Sequence, residues 1–138
     1  AEQMPPHVTS MLEETHLLSG PGRALCEAAL TLASRSDAAA IVAVTRGGKT
    51  ARVLSALHPR APIYAATNSA NVARQLALVW GVTPLVCDLG FDTRLAIDRI
   101  SEMLVTRSFI APSSVIVVVS ISPDLSHGSS NFLKLERV

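Results

Sequence analysis

Two stretches of this chain gather side chains suited to holding an anion. Thr45-Arg46-Gly47-Gly48-Lys49-Thr50 offers two hydroxyls, two cationic side chains, and two glycines through which backbone N–H groups come close to a bound oxygen. Ser126-His127-Gly128-Ser129-Ser130-Asn131 offers hydroxyl, imidazole and amide donors around one glycine, in a polar stretch able to fold over a ligand. The first is not a Walker A loop, because G-x-x-x-x-G-K-S/T requires glycine where Ala43 stands, and it lacks the G-x-G-x-x-G of a dinucleotide fold. By pattern alone Gly47-Gly48 is equally a tight turn and the second stretch an ordinary surface loop.

The other residues capable of chemistry read more plainly as structure. Asp88 ends an apolar run, Asp92 stands where it would cap a helix, and Asp98 falls on that helix's polar face, so no carboxylate pair for acid–base work emerges. His7, His16, His58 and His127 are too dispersed for metal-ligand spacing, and no metal site is expected. The serines beside His127 form no triad without an oriented acid. Trp80 reads as a packing anchor. Cys26 and Cys87 sit in apolar segments without a C-x-x-C partner, as buried thiols of a reducing compartment do.

Both stretches need a scaffold, and the hydrophobic pattern supplies one. Pro21 onward reads as a helix with Leu25, Ala28, Ala29 and Leu32 on one face; 38–45 is a continuous apolar, β-branched run, as in a strand covered on both faces. The alternation continues with a helix over 49–59, a strand over 61–68, a helix over 69–81 capped by Ser69 and ended by Gly81, and a strand over 83–89. A helix over 92–109, striped by Leu95, Ile97, Ile100, Met103 and Leu104, then leads to a strand over 113–121. Helices between parallel strands imply an α/β/α sandwich, three layers around a five-stranded, mostly parallel sheet. The last segment, 132–138, alternates apolar and polar residues and is expected as an antiparallel edge strand, which hints at pairing with a second copy. Both polar stretches would then leave the carboxyl ends of strands on one rim.

At 138 residues the chain suits one domain, able to bury roughly two-thirds of its unfolded surface, with residues 1–20 as a helical lead-in (helix over 7–15) and linker and 21–138 as the domain. With 49% hydrophobic and 17% charged residues it is a globular rather than a disordered composition. A net charge of +1 with scattered basic residues excludes a nucleic-acid surface. No window reaches the roughly 20 apolar residues of a membrane span, and no basic-then-apolar leader opens the chain. A soluble, cytoplasmic protein is expected. It begins with Ala1 and not Met, so a processed chain or a piece of a longer one is expected.

The residues from 38 to 86 resemble the C-terminal domain of pyruvate kinase. In that family a strand ending in T-x-S/G-G-K/R-S/T-A is followed by a helix, a proline-bearing approach ending in P-I, a Thr, and a helix leading to W-G-V-x-P. Thr45 to Ala51, Pro59 to Ile63, Thr67, and Trp80 to Pro84 stand at those places. Residues 113–138 resemble the family's closing strand, its glycine-containing effector loop and its last strand, so the resemblance covers about 20–138.

The resemblance implies regulation and assembly, not phosphoryl transfer. The catalytic barrel of the family, with its metal-binding acids and catalytic lysine, has no counterpart in these residues, so the chain alone is expected to be inactive. It implies a parent that converts phosphoenolpyruvate and ADP to pyruvate and ATP in glycolysis with Mg²⁺ and K⁺, while no cofactor belongs to this chain. It further implies a phosphorylated sugar or nucleotide effector held by Thr45, Arg46, Gly47, Gly48, Lys49 and Thr50 under the loop Ser126, His127, Gly128, Ser129, Ser130 and Asn131. The partners implied are the catalytic portion of the same parent chain and further copies, as a C-domain dimer within a homotetramer.

The departures are specific. Family members that take fructose 1,6-bisphosphate hold its second phosphate with a Trp and an Arg; an ungapped match places Leu89 and Ala96 there, with Arg94 nearby as a second-phosphate contact. Effector identity therefore stays open, beside an assembly-only domain and an independent α/β protein binding a phosphorylated metabolite.

Overall fold

The computed structural model describes residues 20–90, 92–121 and 131–138. The expected helix over 7–15 and the loop residues Ser126 to Ser130 lie outside them. In chain order the elements are α1 (Pro21–Arg35), β1 (Ala40–Val44), α2 (Lys49–Ala56), β2 (Ile63–Thr67), α3 (Ala70–Leu76), β3 (Val82–Val86), α4 (Thr93–Thr106), β4 (Val115–Ser120) and β5 (Phe132–Arg137). The sheet order is β3-β2-β1-β4-β5, parallel except for β4 against β5. The expected three layers and antiparallel edge strand are those observed.

Alternation along the strands builds two cores. Ile41, Ala43, Ile63, Ala65, Val117 and Val119 meet Cys26, Ala29 and Ala33 of α1, Ala51 and Leu54 of α2, and Leu76 of α3. Their neighbours Ala40, Val42, Tyr64, Ala66, Ile116 and Val118 meet Ile97, Ile100 and Leu104 of α4 on the other face. β1 and β2 are thus apolar along their length but for the Thr67 that ends β2, because both of their faces leave water. Truncating a fully buried Leu54, Ile100 or Leu104 to Ala would cost about 2–5 kcal/mol.

Several boundaries and faces differ from expectation. The helix expected to reach Gly81 ends at Leu76: the amides of Leu78 and Val79 fall back to Gln75 and Leu76, and Gly81 takes a φ of 71° to start β3 in register with Ile63. β3 stops at Val86, short of Leu89, and the Asp88 carboxylate accepts the Gly90 amide. α2 ends at Ala56, ahead of a left-handed His58, and α4 at Thr106. The inner face of α1 is Cys26, Ala29 and Ala33, leaving Ala28 outside, and Leu95 is 52% exposed because Ala96, Ile97, Ile100 and Leu104 face the sheet. Trp80 is not an interior anchor: it is 60% exposed, its ring 4.7 Å from that of His58. Cys26 is buried as expected, but Cys87 only half so.

The two edges of the sheet are built differently. Ile63 donates to the Gly81 carbonyl and Cys87 to that of Thr67, so odd-numbered residues of β3 face β2 and Pro84 faces outward, where its missing N–H opposes nothing. On β5, Val138 donates to Ser114, and the register turns Phe132, Lys134 and Glu136 toward β4. The amides of Leu133, Leu135 and Arg137 point outward with no backbone acceptor among the described residues.

Candidate functional site

The sheet runs outward from β1 to β2 and β3, then returns past β1 to β4. β1 and β4 are therefore the neighbours at which strand order reverses, and the crevice beyond their carboxyl ends is where open α/β sheets take ligands. Thr45 to Lys49 occupies that place, between Val44 of β1 and the first turn of α2. Val44 pairs with Ser120, and Ser120 with Phe132, so residues 121–131 leave and rejoin the sheet directly beside the turn. Asn131 stands at that return. The described residues thus bring the Thr45 turn, Ile121 and Asn131 to one rim.

Internal hydrogen bonds shape the turn. The Thr45 amide donates to Ala66 at 2.9 Å, and its buried hydroxyl oxygen accepts the Gly48 amide at 2.9 Å. Thr67, fully buried at the end of β2, donates to the Arg46 carbonyl at 3.4 Å and accepts the Ser69 amide at 3.2 Å. Ser69 in turn caps α3 by accepting from Val72. Thr67 is a strut, and in the sequence alone it stands out only as a family position. Its neighbour across the turn lies 21 residues away, so no local pattern reveals the contact.

The two glycines do different work. Gly48 has a φ of 91°, and a Cβ there would lie 3.1 Å from Leu76 Cδ2, so both the backbone and the packing of α3 exclude a side chain. Gly47 has open space within 4 Å of its would-be Cβ and no left-handed φ. Nothing in the packing of the described residues demands glycine at 47.

What remains unspent faces solvent. Because Gly48 N–H goes to Thr45, the donors left are the amides of Gly47, Lys49, Thr50 and Ala51, which have no acceptor among the described residues. The Arg46 and Lys49 side chains are exposed and make no ion pair with a described residue. Thr50 is only 3% exposed, and its hydroxyl makes no hydrogen bond to a described residue. A helix N-terminus with two adjacent cations and free amides can hold an oxyanion, and no carboxylate of the described residues lies in this turn to move a proton.

Arg94 is not brought to the turn. Its guanidinium holds both oxygens of Glu136, at 2.6 and 3.2 Å, and also Asp98, one turn along α4. These carboxylates push the Arg94 pKa upward, and Arg94 holds Glu136 below the usual carboxylate value. Glu136 is in register with Ile116, and Ile116 with Ala40, five residues and about 16 Å down the sheet from Thr45. Asp92 caps α4 by accepting from Arg94 and Leu95 and Asp98 lies on the solvent face, as their spacing implies, whereas Asp88 stands two residues beyond the end of β3 and pairs with Arg99.

A cavity of about 510 Å³ lies elsewhere, between the end of β3 and α4, lined by Val86, Cys87, Arg99, Glu102, Met103, Thr106 and Arg107. Burial and the adjacent Asp88 raise the Cys87 pKa, which leaves its thiol a poor nucleophile, so geometry and charge both favour the turn as the site. Among the described residues no three His, Cys, Asp or Glu side chains gather to hold a metal, and no helix is long and apolar enough to cross a membrane.

The fold defines an open-sheet α/β domain with the Thr45 turn at its switch point. More particularly, the chain belongs to the pyruvate kinase alpha/beta domain family, whose pattern matches residues 23–136. It is 34% identical over 108 residues to a pyruvate kinase of Clostridium acetobutylicum, covering 78% of this chain and 23% of that one. It is 33% identical over 127 residues to one of Staphylococcus saprophyticus, covering 92% and 21%. The chain therefore spans less than a quarter of either relative's length. A crystal structure of a pyruvate kinase from Cryptosporidium parvum has the same fold, with a TM-score of 0.75 at 22% identity over 92% of this chain and 26% of that one. The Cryptosporidium parvum enzyme in complex with ADP superposes with a TM-score of 0.74 at 25% identity, covering 92% and 27%.

Proposed function

We propose that this chain is the regulatory and assembly domain at the C-terminal end of a pyruvate kinase, and that it senses a phosphorylated small molecule at Thr45–Thr50. The observation that carries this is the combination at the start of α2: unspent amides, the free cations Arg46 and Lys49, and a crevice flanked by both ends of 121–131. A phosphoryl group there gains about 0.3–1 kcal/mol from the helix dipole and about 1.5–3 kcal/mol from each charge-assisted hydrogen bond. The conversion of phosphoenolpyruvate and ADP to pyruvate and ATP, with its Mg²⁺ and K⁺, belongs to the portion of the parent that this chain does not span. Ser126 to Asn131 would close over the ligand. Isothermal titration with a panel of sugar phosphates and AMP is the test: saturable binding lost in Lys49→Ala, without turnover, is expected. Heat no different from that of sulfate would sink the reading.

A second role, assembly, is favoured by the outward amides of Leu133, Leu135 and Arg137 on β5. Pairing of two copies along β5 would extend the sheet across a two-fold axis within a larger homo-oligomer. Leu135→Pro removes an outward N–H while leaving the β4 ladder intact. Sedimentation should show the wild type self-associating and this variant monomeric with an unchanged circular dichroism spectrum; a monomeric wild type would end the idea.

A further inference from the structure

We propose that the cavity between the end of β3 and α4 is a second ligand site, which takes a small molecule with an aromatic body and a single carboxylate. It is independent of the phosphate reading, because it lies on the face of the sheet that α4 covers, whereas the Thr45 turn leads into α2 on the other face. Its volume of about 510 Å³ is that of a small-molecule pocket. Along α4 it runs from Arg99 to Arg107, eight residues and about 12 Å of helix.

The lining selects the body of the ligand. Cys87 and Met103 line the cavity, half-buried and packed against the core beneath α4. Burial, then Asp88, raise the Cys87 thiol against the opposing pull of Arg99 and Arg107, so it stays protonated at neutral pH and acts as a small apolar group. A thioether such as that of Met103 makes favourable contact with the edge of an aromatic ring.

The rim selects the charge. Arg99 donates to the Asp88 carbonyl at 3.0 Å and stands 3.6 Å from its carboxylate, so its charge is already engaged. Arg107 is exposed and makes no ion pair with a described residue. Its guanidinium offers a planar fork that matches one carboxylate. Glu102 on the same rim and the carbonyl end of α4 oppose any further negative charge, which sets a carboxylate above a phosphate dianion.

The test is titration of the full chain with 2-naphthylacetate, its neutral amide and acetate, in the wild type, Arg107→Gln, and Arg23→Gln as a remote loss of charge. Two readouts locate the binding: the methyl resonance of Met103, and the rate at which a thiol reagent labels Cys87. The acid should bind saturably and about 10-fold or more tighter than the amide or acetate, shift the Met103 methyl and slow the labelling of Cys87. Arg107→Gln should weaken it by about 10-fold or more, and Arg23→Gln should leave it unmoved. An amide that binds as tightly as the acid would overturn the carboxylate, and acetate binding as tightly would overturn the aromatic body. Absence of binding, equal losses in the two variants, or binding that leaves Met103 and Cys87 unaffected would overturn the site. All of these outcomes leave the phosphate reading of the Thr45 turn untouched.

Discussion

Arg94 and Glu136, 42 residues apart in sequence, meet as a two-pronged ion pair that fastens the first turn of α4 to the outermost strand. Five residues along the helix, Arg99 donates to the Asp88 carbonyl just beyond β3. α4 is thus tied near both margins of the sheet, across the face that Ile97, Ile100 and Leu104 cover.

The Arg94–Glu136 pair should appear in the acid limb of stability. Glu136 has a folded pKa below its ordinary 4.5, chiefly through its hydrogen bond from Arg94. Its contribution is complete above the unfolded value and is lost as pH falls through the lower folded value. In Glu136→Gln that part of the acid dependence should vanish, and the gap between the two proteins in urea denaturation should close as pH drops below about 4.3. Because Arg94 is exposed, salt should narrow the gap at neutral pH.

Gly48 and Gly47 should answer alanine in opposite ways. Gly48→Ala forces a side chain into a left-handed conformation and against Leu76, at a cost of about 1–3 kcal/mol in unfolding free energy. Gly47→Ala meets open space and should stay within about 0.5 kcal/mol of wild type. Equal losses at the two positions would contradict the described turn.

Thr67→Val should loosen the turn without touching its charges. The substitution strips a fully buried hydroxyl from the Arg46 carbonyl and the Ser69 amide, and about 1–3 kcal/mol of stability should go with it. Titration should show weaker phosphate-ester binding even with Arg46 and Lys49 intact. Unchanged affinity would mean that the turn holds its shape without the strut.

Cys26 should make the protein sensitive to alkali. Burial raises its thiol to about 11, opposed by Arg23 and aided by Glu27. A raised folded value gives stability that is complete below the unfolded thiol's pKa and lost as pH climbs through the folded one, so stability should decline from about pH 9 to 11. Cys26→Ala should flatten that decline. A thiol reagent at pH 8 should label half-buried Cys87 before fully buried Cys26.

Element types were legible in the sequence because the central strands lie between two helix layers, and doubly buried strands read as unbroken apolar runs. Their order could be argued too, since helices between parallel strands leave few topologies. Ends were not legible where tertiary demands decide them. Ala77 to Trp80 suit a helix, yet α3 stops at Leu76 so that β3 can enter beside Ile63. Leu95 fits an apolar stripe by spacing, but Ala96, Ile97, Ile100 and Leu104 take the buried face of α4 and leave it outside. The turn's composition showed that it could hold an anion. Its placement beside Ile121 and Asn131 depends on the Val44, Ser120 and Phe132 register, of which the sequence pattern shows no more than a shared rim.

Pro84 has a consequence for growth. A sheet receptive on both margins can recruit copy after copy and lengthen into a fibre, whereas one receptive on a single margin halts when two such margins have met. With Pro84 denying an N–H on the β3 side and β5 presenting three, any strand-by-strand addition through this sheet would terminate at a pair.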